Sequence, residues 1–417
     1  MKDNISSRKI AVDSIYNIIY NDSFSDIIVR KNKDLFTDNR DFTLYQKIVL
    51  GSLERIFELD FIISELSNIK FNKIDKIILS ILRCAIYELM YLESKDYAVI
   101  NEYVNLTVIN KRKFSKGYVN AILRNFLRNK NKLLDNVINS TNEQVRYNIN
   151  QEIIDYFKLN YSNYDKILMS FYDINPLTVR ANKDIDLSEE VLFKKTKYDN
   201  FYLVKDPQEF FLSDYFKNNK VSIQSLGSYI AGRCLDAKDN NLVLDLCSAP
   251  GTKARQILDS FNGGHIVSND IDKNKNRLIE ENLKYFGKNR YEIRNFDATV
   301  EIKEFREKFD RVLIDVPCSN LGLISKKPEI RFKRTMNYIY DISNIQKKII
   351  DCAIKYLKVG GVLVYSTCTY GNLENLDNYN YLKSILDVYA IDNEDYIQID
   401  NYTHKSNGFF IARFKKS

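Results

Sequence analysis

The sequence predicts a multi-domain chain: an all-α bundle over residues 1–135, a small α+β module over 145–236, and an α/β domain on a mostly parallel sheet over 237–417. Three patterns carry that expectation. Up to about Lys132 apolar residues recur at three- and four-residue steps while Gly and Pro are scarce, which is helical spacing. Between about Asn150 and Asp236 the apolar residues fall in short alternating segments. From Asn241 onward, apolar runs of strand length alternate with helical stretches, the pattern of parallel strands covered on both faces.

In the first region Ile77, Ile78, Ile81, Leu82, Ala85, Ile86 and Leu89 make a face wide enough for a helix at the centre of a bundle. In the middle, Leu177-Thr178-Val179-Arg180 and Phe201-Tyr202-Leu203-Val204 read as strands. In the last region strands are expected at 242–246, 265–268, 312–314 and 362–364, and helices at 252–261, 273–286 and 343–357. No internal repeat or low-complexity segment interrupts this order.

Composition narrows the function classes. A chain of 417 residues buries a sizeable core without staples. Its six cysteines have no framework spacing, and no CxxC pair with a His-rich partner suggests a metal site. Met1-Lys2-Asp3-Asn4 lacks the apolar stretch of a signal peptide, and even Ile77 to Leu92 is broken by Arg83 and Glu88, so no membrane span is expected. The expected setting is the cytoplasm, with reduced thiols and a monomeric chain. A net charge of +7 permits a polyanionic partner.

Two cysteines end strand-like runs: Cys318 in Asp315-Val316-Pro317-Cys318 and Cys368 in Tyr365-Ser366-Thr367-Cys368-Thr369. Strand ends are where ligands approach an α/β sheet, so the pair points to chemistry, against the plainer reading of two small buried hydrophobes. The first strand runs through Leu244-Asp245-Leu246-Cys247-Ser248-Ala249-Pro250-Gly251-Thr252-Lys253 into a helix, offering backbone N–H groups to a ligand. Only one glycine is present, which excludes a three-glycine dinucleotide loop or a Walker-type site. Asp270 and Asp297 close the next two strands, as ligands for a nucleoside or as simple caps. Lys111-Arg112-Lys113-Phe114 and Lys116 open a stretch to Lys132 with eight basic residues and no acid, either a phosphate-contacting surface or a solvated face.

These motifs resemble the RsmB (Sun/Fmu) family of 16S ribosomal RNA cytosine-5 methyltransferases, within the NOL1/NOP2/Sun group. Cys247 to Lys253 resembles the family's S-adenosylmethionine loop CAAPGGK, with Ser248 and Thr252 as departures. Asp315-Val316-Pro317-Cys318-Ser319 matches DAPCS, with Asn320 replacing the Gly that often follows, and Ser366-Thr367-Cys368-Thr369 matches STCT. Gly117 to Arg124 and Asn101-Glu102-Tyr103-Val104 resemble segments of the NusB-like helical domain that the family carries. Val221-Ser222-Ile223-Gln224 resembles the lead-in to the catalytic domain, with Ser225 where Asp is common, and Asn407-Gly408-Phe409-Phe410 resembles the closing DGFF. Coverage is nearly the whole chain.

The resemblance implies a NusB-like RNA-binding bundle and a Rossmann-like catalytic domain. Cys247, Ser248, Ala249, Pro250, Gly251, Thr252, Lys253, Asp270, Asp297 and Asp315 would hold S-adenosylmethionine; Lys111, Arg112, Lys113 and Lys116 would hold RNA, most naturally 16S rRNA. Cytosine C5 is a poor nucleophile, so a thiolate must first add to C6. The resemblance assigns that step to Cys368, release to Cys318, and the cytosine N3 edge to Asp315. The alternatives are a tRNA cytosine-5 methyltransferase and a non-catalytic RNA-binding assembly or transcription factor.

Overall fold

Asp75 opens the helix Lys76–Tyr91 by accepting the Ile77 and Ile78 backbone N–H groups at 2.9 and 3.4 Å. The computed structural model describes residues 6–417 and divides into two units, one running to Asp155 together with Lys326–Arg334, the other Tyr156–Ser325 with Thr335–Ser417. In the first unit this helix packs against helices Ser7–Tyr20, Asn39–Glu54, Ile56–Leu66, Asp96–Ile109 and Lys116–Ile138. Every residue from Ile78 to Ile86 is buried, so the helix is the centre that its apolar face predicts. Each buried Ile or Leu contributes roughly 1.5–3 kcal/mol.

The two charges that break the apolar run are buried with partners. Arg83 donates to both carboxylate oxygens of Asp60 at 2.6 and 2.9 Å and to Tyr20 Oη at 2.9 Å. Glu88, fully buried, accepts from Arg8 at 2.5 and 3.0 Å and from Tyr103 Oη at 3.0 Å. Pairing offsets a desolvation cost that a lone charge could not meet.

The helical unit does not stop near residue 135. That boundary lies within Lys116–Ile138, and a further helix, Glu143–Tyr147, follows. The later segment Lys326–Arg334 belongs to the same unit: Arg331, fully buried, donates to the Tyr147 carbonyl at 3.1 Å, and Glu329 accepts from the Ser25 backbone N–H at 3.2 Å and its Oγ at 2.7 Å. Sequence distance hid this, because the segment reads locally as a short polar connection.

The second unit holds two sheets. Strands β1 (Thr178–Ala181), β2 (Phe193–Lys195), β3 (Phe201–Val204) and β4 (Val221–Ile223) pair antiparallel in the order β2-β3-β1-β4. Val179, Ala181, Phe193, Tyr202, Val204 and Phe210 fill their core.

The larger sheet contains β5 (Leu242–Asp245), β6 (His265–Asn269), β7 (Tyr291–Arg294), β8 (Phe309–Asp315) and β9 (Leu357–Thr367), with β10 (Asp387–Val388), β11 (Tyr396–Ile399) and β12 (Phe409–Lys415). Strands β7, β6, β5, β8 and β9 run parallel in that spatial order. Strand β12 pairs antiparallel with β9, from Phe410 opposite Thr367 to Lys415 opposite Val362. Strand order reverses at β5, which has β6 on one side and β8 on the other; ligands bind at the carboxyl ends of strands around such a point. The predicted strands are all present. β8 and β9 are longer than expected, and the predicted helix at 343–357 is the C-terminal part of Met336–Tyr356. Among the described residues no helix is long and apolar enough to cross a membrane.

Candidate active site

The loop after β5 turns at Gly251, whose φ is +98°, and a Cβ there would come within 3.1 Å of the Ile279 backbone. Glycine is therefore required twice over, for conformation and for space. From the Gly251 turn the helix Thr252–Ser260 begins. The loop is tied to its neighbour: Ser248 N–H donates to the Asn269 carbonyl at 2.7 Å, and Asn269 Nδ2 donates to the Leu246 and Phe296 carbonyls at 3.0 and 3.1 Å. One buried asparagine thus joins the ends of β5 and β6 to the chain leaving β7.

Asp270 follows β6 and is 8% exposed. Its carboxylate accepts from the Ala249 N–H at 3.3 Å and the Asp272 N–H at 3.0 Å, and Lys275 Nζ lies 3.7 Å away. Asp297 is exposed and accepts from Thr299 N–H and Oγ1 at 2.9 and 2.7 Å, which hold its carboxyl below the usual range. Cys247 stands half-buried on the loop, and burial pushes its thiol well up.

Lys253 turns inward. Its Nζ is 2.5 Å from Asp315 Oδ2 and 5.5 Å from the centre of the Phe409 ring. Burial works against the ammonium, but Asp315 outweighs it and the Lys253 pKa is raised. Ser366 Oγ donates to the other Asp315 oxygen at 2.7 Å.

Cys318 and Cys368 meet across the ends of β8 and β9, their sulfurs 3.1 Å apart. The Cys368 contact, followed by burial, pushes the Cys318 thiol well up, so it retains its proton at neutral pH. Asn320 Oδ1 accepts from Cys368 Sγ at 2.9 Å and lies 3.7 Å from Cys318 Sγ.

Beneath the thiols, Glu374 is fully buried and accepts from the Ser319 N–H at 2.8 Å, from Ser319 Oγ, and from Gln346 Nε2 at 2.9 Å. Gln346 Nε2 also donates to the Pro317 carbonyl at 2.9 Å, and Ser319 Oγ contacts Thr369 Oγ1 at 2.5 Å. Gly322 N–H donates to the Cys368 carbonyl at 3.1 Å, and a Cβ on Gly322 would fall 2.1 Å from the Gly408 oxygen. The Cys318 loop is therefore fastened to the Cys368 loop from both sides.

Asp245, at the end of β5, was overlooked in the sequence. It is 1% exposed, neither oxygen completes a hydrogen bond within the fold, and burial outweighs the nearby Ser248 hydroxyl, Lys253 and Cys247 N–H to raise its pKa to about 7. Ser248 Oγ, in a side chain 6% exposed, is likewise unpartnered. A carboxylate and a hydroxyl left without completed hydrogen bonds at the loop after β5 suit a ligand that brings a cation and hydrogen-bond donors, as the amino-acid end of S-adenosylmethionine does. An acid closing an apolar strand just before the loop was the signal. Glu374 carried none: it lies in a polar loop, and only folding sets it under Ser319.

In the helical unit Lys111, Lys113 and Lys116 are exposed, while Arg112 Nε is paired with Asp75 at 2.8 Å. The Phe114 ring between them is fully exposed, at 104%.

Comparison with known proteins accords with this geometry. Residues 233–415 match the family model described as 16S rRNA methyltransferase RsmB/F, and residues 5–128 match that of the NusB family. Ribosomal RNA small subunit methyltransferase B of Proteus mirabilis (strain HI4320) is 27% identical over 436 residues, covering 100% of both chains. A protein described as probable ribosomal RNA small subunit methyltransferase B, from Bacillus subtilis (strain 168), is 28% identical over 89% of this chain and 86% of its own. The crystal structure of PH0851 superposes with a TM-score of 0.80 at 20% identity, covering 99% of each chain. That of NSun6 from Pyrococcus horikoshii with SFG gives a TM-score of 0.56 at 22% identity over 64% of this chain and 98% of that one. Residues 233–415 thus belong to the RsmB/F family and residues 5–128 to the NusB family, which makes the chain an S-adenosylmethionine-dependent RNA methyltransferase with a NusB-like N-terminal region.

Proposed function

We propose that this enzyme methylates C5 of a cytosine in 16S rRNA, through a covalent bond between Cys368 and C6. The contact between the two strand-end thiols, 3.1 Å apart beside the Lys253–Asp315 pair, is the observation that carries the reading. The relatives' names supply the small-subunit RNA as substrate.

Cys368 adds to C6 as a thiolate, and the electron pair moves toward C5 and the N3 edge of the ring. Asp315 bridges the Lys253 ammonium and the N3 edge, and as negative charge builds on the ring a proton passes from the ammonium through the carboxylate to N3. Asp245 and Ser248 bind the amino-acid end of S-adenosylmethionine, Asp270 its ribose, and Asp297 its adenine. Bound there, the cofactor supplies an electrophilic methyl group. Once C5 is methylated its hydrogen leaves as a proton to water, the C–H electron pair re-forms the C5–C6 double bond, and the C6–S bond breaks with its own electron pair going to sulfur. Cys318, kept protonated by its surroundings, donates its S–H to the departing Cys368 thiolate. The base must leave any stack to be reached from both faces. Lys111, Lys113 and Lys116 contact phosphates of the same RNA, with Arg112 weakened in that role by its bond to Asp75.

Cys318→Ala decides the reading. It should add and methylate but stall before release, leaving a protein–RNA adduct that survives denaturing electrophoresis and carries the labelled methyl group. The adduct should vanish in the Cys318→Ala, Cys368→Ala double variant. No adduct from folded Cys318→Ala, on an RNA that the wild type methylates, would overturn the two-cysteine mechanism; bisulfite mapping of that RNA tests the cytosine assignment.

A further inference from the structure

Asn320 stands between the two thiols, and its backbone alone does not account for it. Its φ of +60° is left-handed, a conformation that glycine adopts freely and asparagine tolerates. If conformation were the whole requirement, glycine would serve. The side chain, however, reaches both sulfurs, at 2.9 Å from Cys368 and 3.7 Å from Cys318.

The residue is aimed by its neighbours. Ser319 is fixed to Glu374 and Thr369, the Leu321 N–H donates to Thr369 Oγ1 at 3.2 Å, and the Gly322 N–H donates to the Cys368 carbonyl at 3.1 Å. With its flanks held, the backbone is fixed, and rotation about Cβ–Cγ exchanges Oδ1 for Nδ2 in place. Among the described residues no acceptor takes its Nδ2 protons, so a half-turn breaks no protein bond except those to the two thiols.

We propose that Asn320 is a catalytic residue that serves both protonation states of Cys368, a role that rests on the adduct chemistry above. With Oδ1 toward sulfur it accepts the S–H of the resting thiol. When the proton is lost to solvent water, a half-turn brings Nδ2–H to the thiolate, and a hydrogen bond to a charged acceptor is the stronger kind. The same N–H receives the sulfur again when the C6–S bond breaks, so both attack and departure meet a donor. Beyond Asn320, the titratable groups around the pair are Cys318 itself, Lys253 and Asp315 at the cofactor loop, and Glu374 behind Ser319. None of these is changed by substituting Asn320.

Three variants separate the side chain from the backbone: Asn320→Gly keeps the left-handed conformation, Asn320→Ala removes the amide, and Asn320→Asp keeps the shape but only accepts. The readout is the rate at which iodoacetamide alkylates Cys368 in the full-length protein across pH, located by mass spectrometry, with methyl transfer measured in parallel. Asn320→Gly should alkylate about tenfold more slowly at neutral pH, with its midpoint moved up by about one unit. Asn320→Asp should move it further, since a carboxylate repels the thiolate. Methyl transfer should fall in kcat with little change in KM for RNA. Wild-type alkylation by Asn320→Gly at every pH would overturn the proposal and leave Asn320 a backbone residue. Because alkylation needs no RNA, a slow Asn320→Gly with an inactive wild type would count against the methyltransferase reading alone. If Asn320→Ala or Asn320→Asp fails to fold, Asn320→Gly still decides.

Discussion

Two buried charges, Arg83 in the helical unit and Asp245 at the end of β5, have met opposite fates. Arg83 donates to both oxygens of Asp60, and the pair raises its pKa in spite of burial. Asp245 is as deeply buried, yet neither of its oxygens completes a hydrogen bond within the fold and burial raises its pKa to about 7. The first arrangement completes itself within the fold. The second is costly until something arrives, and such unmatched groups belong at binding sites. Glu374 falls with Arg83 by this measure: it lies under the Cys318 and Cys368 thiols, but Ser319 and Gln346 satisfy its carboxylate, so it reads as scaffold for the loop.

The sharpest way to break the comparison is at the proposed nucleophile, the Cys368 thiol, where neither kind of burial matters. Cys368→Ala should lose methyl transfer by several orders of magnitude while thermal stability and cofactor binding stay close to wild type. Substantial turnover by this variant, in a radiolabel assay, would remove Cys368 as nucleophile.

Next comes the pair of charges. Asp60→Ala should destabilise the protein by about 3–5 kcal/mol, since it strands Arg83 in the core. Asp245→Asn should do the reverse without cofactor, raising the midpoint of thermal unfolding, while blunting the shift that S-adenosylmethionine produces in the wild type. The pH dependence has a definite sign. Because the folded-state pKa of Asp245 lies above the unfolded value of 3.8, its contribution is most favourable below about pH 4 and is lost as pH rises to about 7. Asp245→Asn should flatten that part of the wild-type stability profile. An unchanged profile and an undiminished cofactor shift, measured by calorimetry, would return Asp245 to the structural class.

The smallest effect is expected on the surface. Replacing Lys111, Lys113 and Lys116 with Gln should reduce the dependence of RNA affinity on salt by up to about 2–3 units of slope, with stability unaltered. A slope equal to wild type would make this face merely solvated.

The candidate site was legible in the sequence because it is built from short contiguous motifs. An apolar strand must end, and the residues just past its end face the ligand side of the sheet, so Asp315, Cys318 and Cys368 could be picked out from local pattern alone. The loop Cys247 to Lys253 was readable for the same reason: Gly251 marks the turn, and a helical period follows. The central helix was equally plain, since its apolar spacing survives the interruptions at Arg83 and Glu88. What those interruptions meant was not plain, because Asp60 and Arg8 lie far away in sequence.

Tertiary structure alone decided the rest. A lysine at the start of a helix can reach solvent or turn inward, and β8 decides for Lys253 by bringing Asp315 to 2.5 Å from its Nζ. The segment Lys326–Arg334 joined the helical unit, against its place in the chain, because its side chains found buried partners there. The 3.1 Å contact between Cys318 and Cys368, the clamp on Glu374 and the reach of Asn320 all come from strands β8 and β9 lying side by side in register, Asp315 opposite Ser366. Local sequence sets which groups stand at strand ends. Only pairing between distant strands brings them within hydrogen-bonding distance, and at that range a few tenths of an ångström and the loss of water determine what the groups can do.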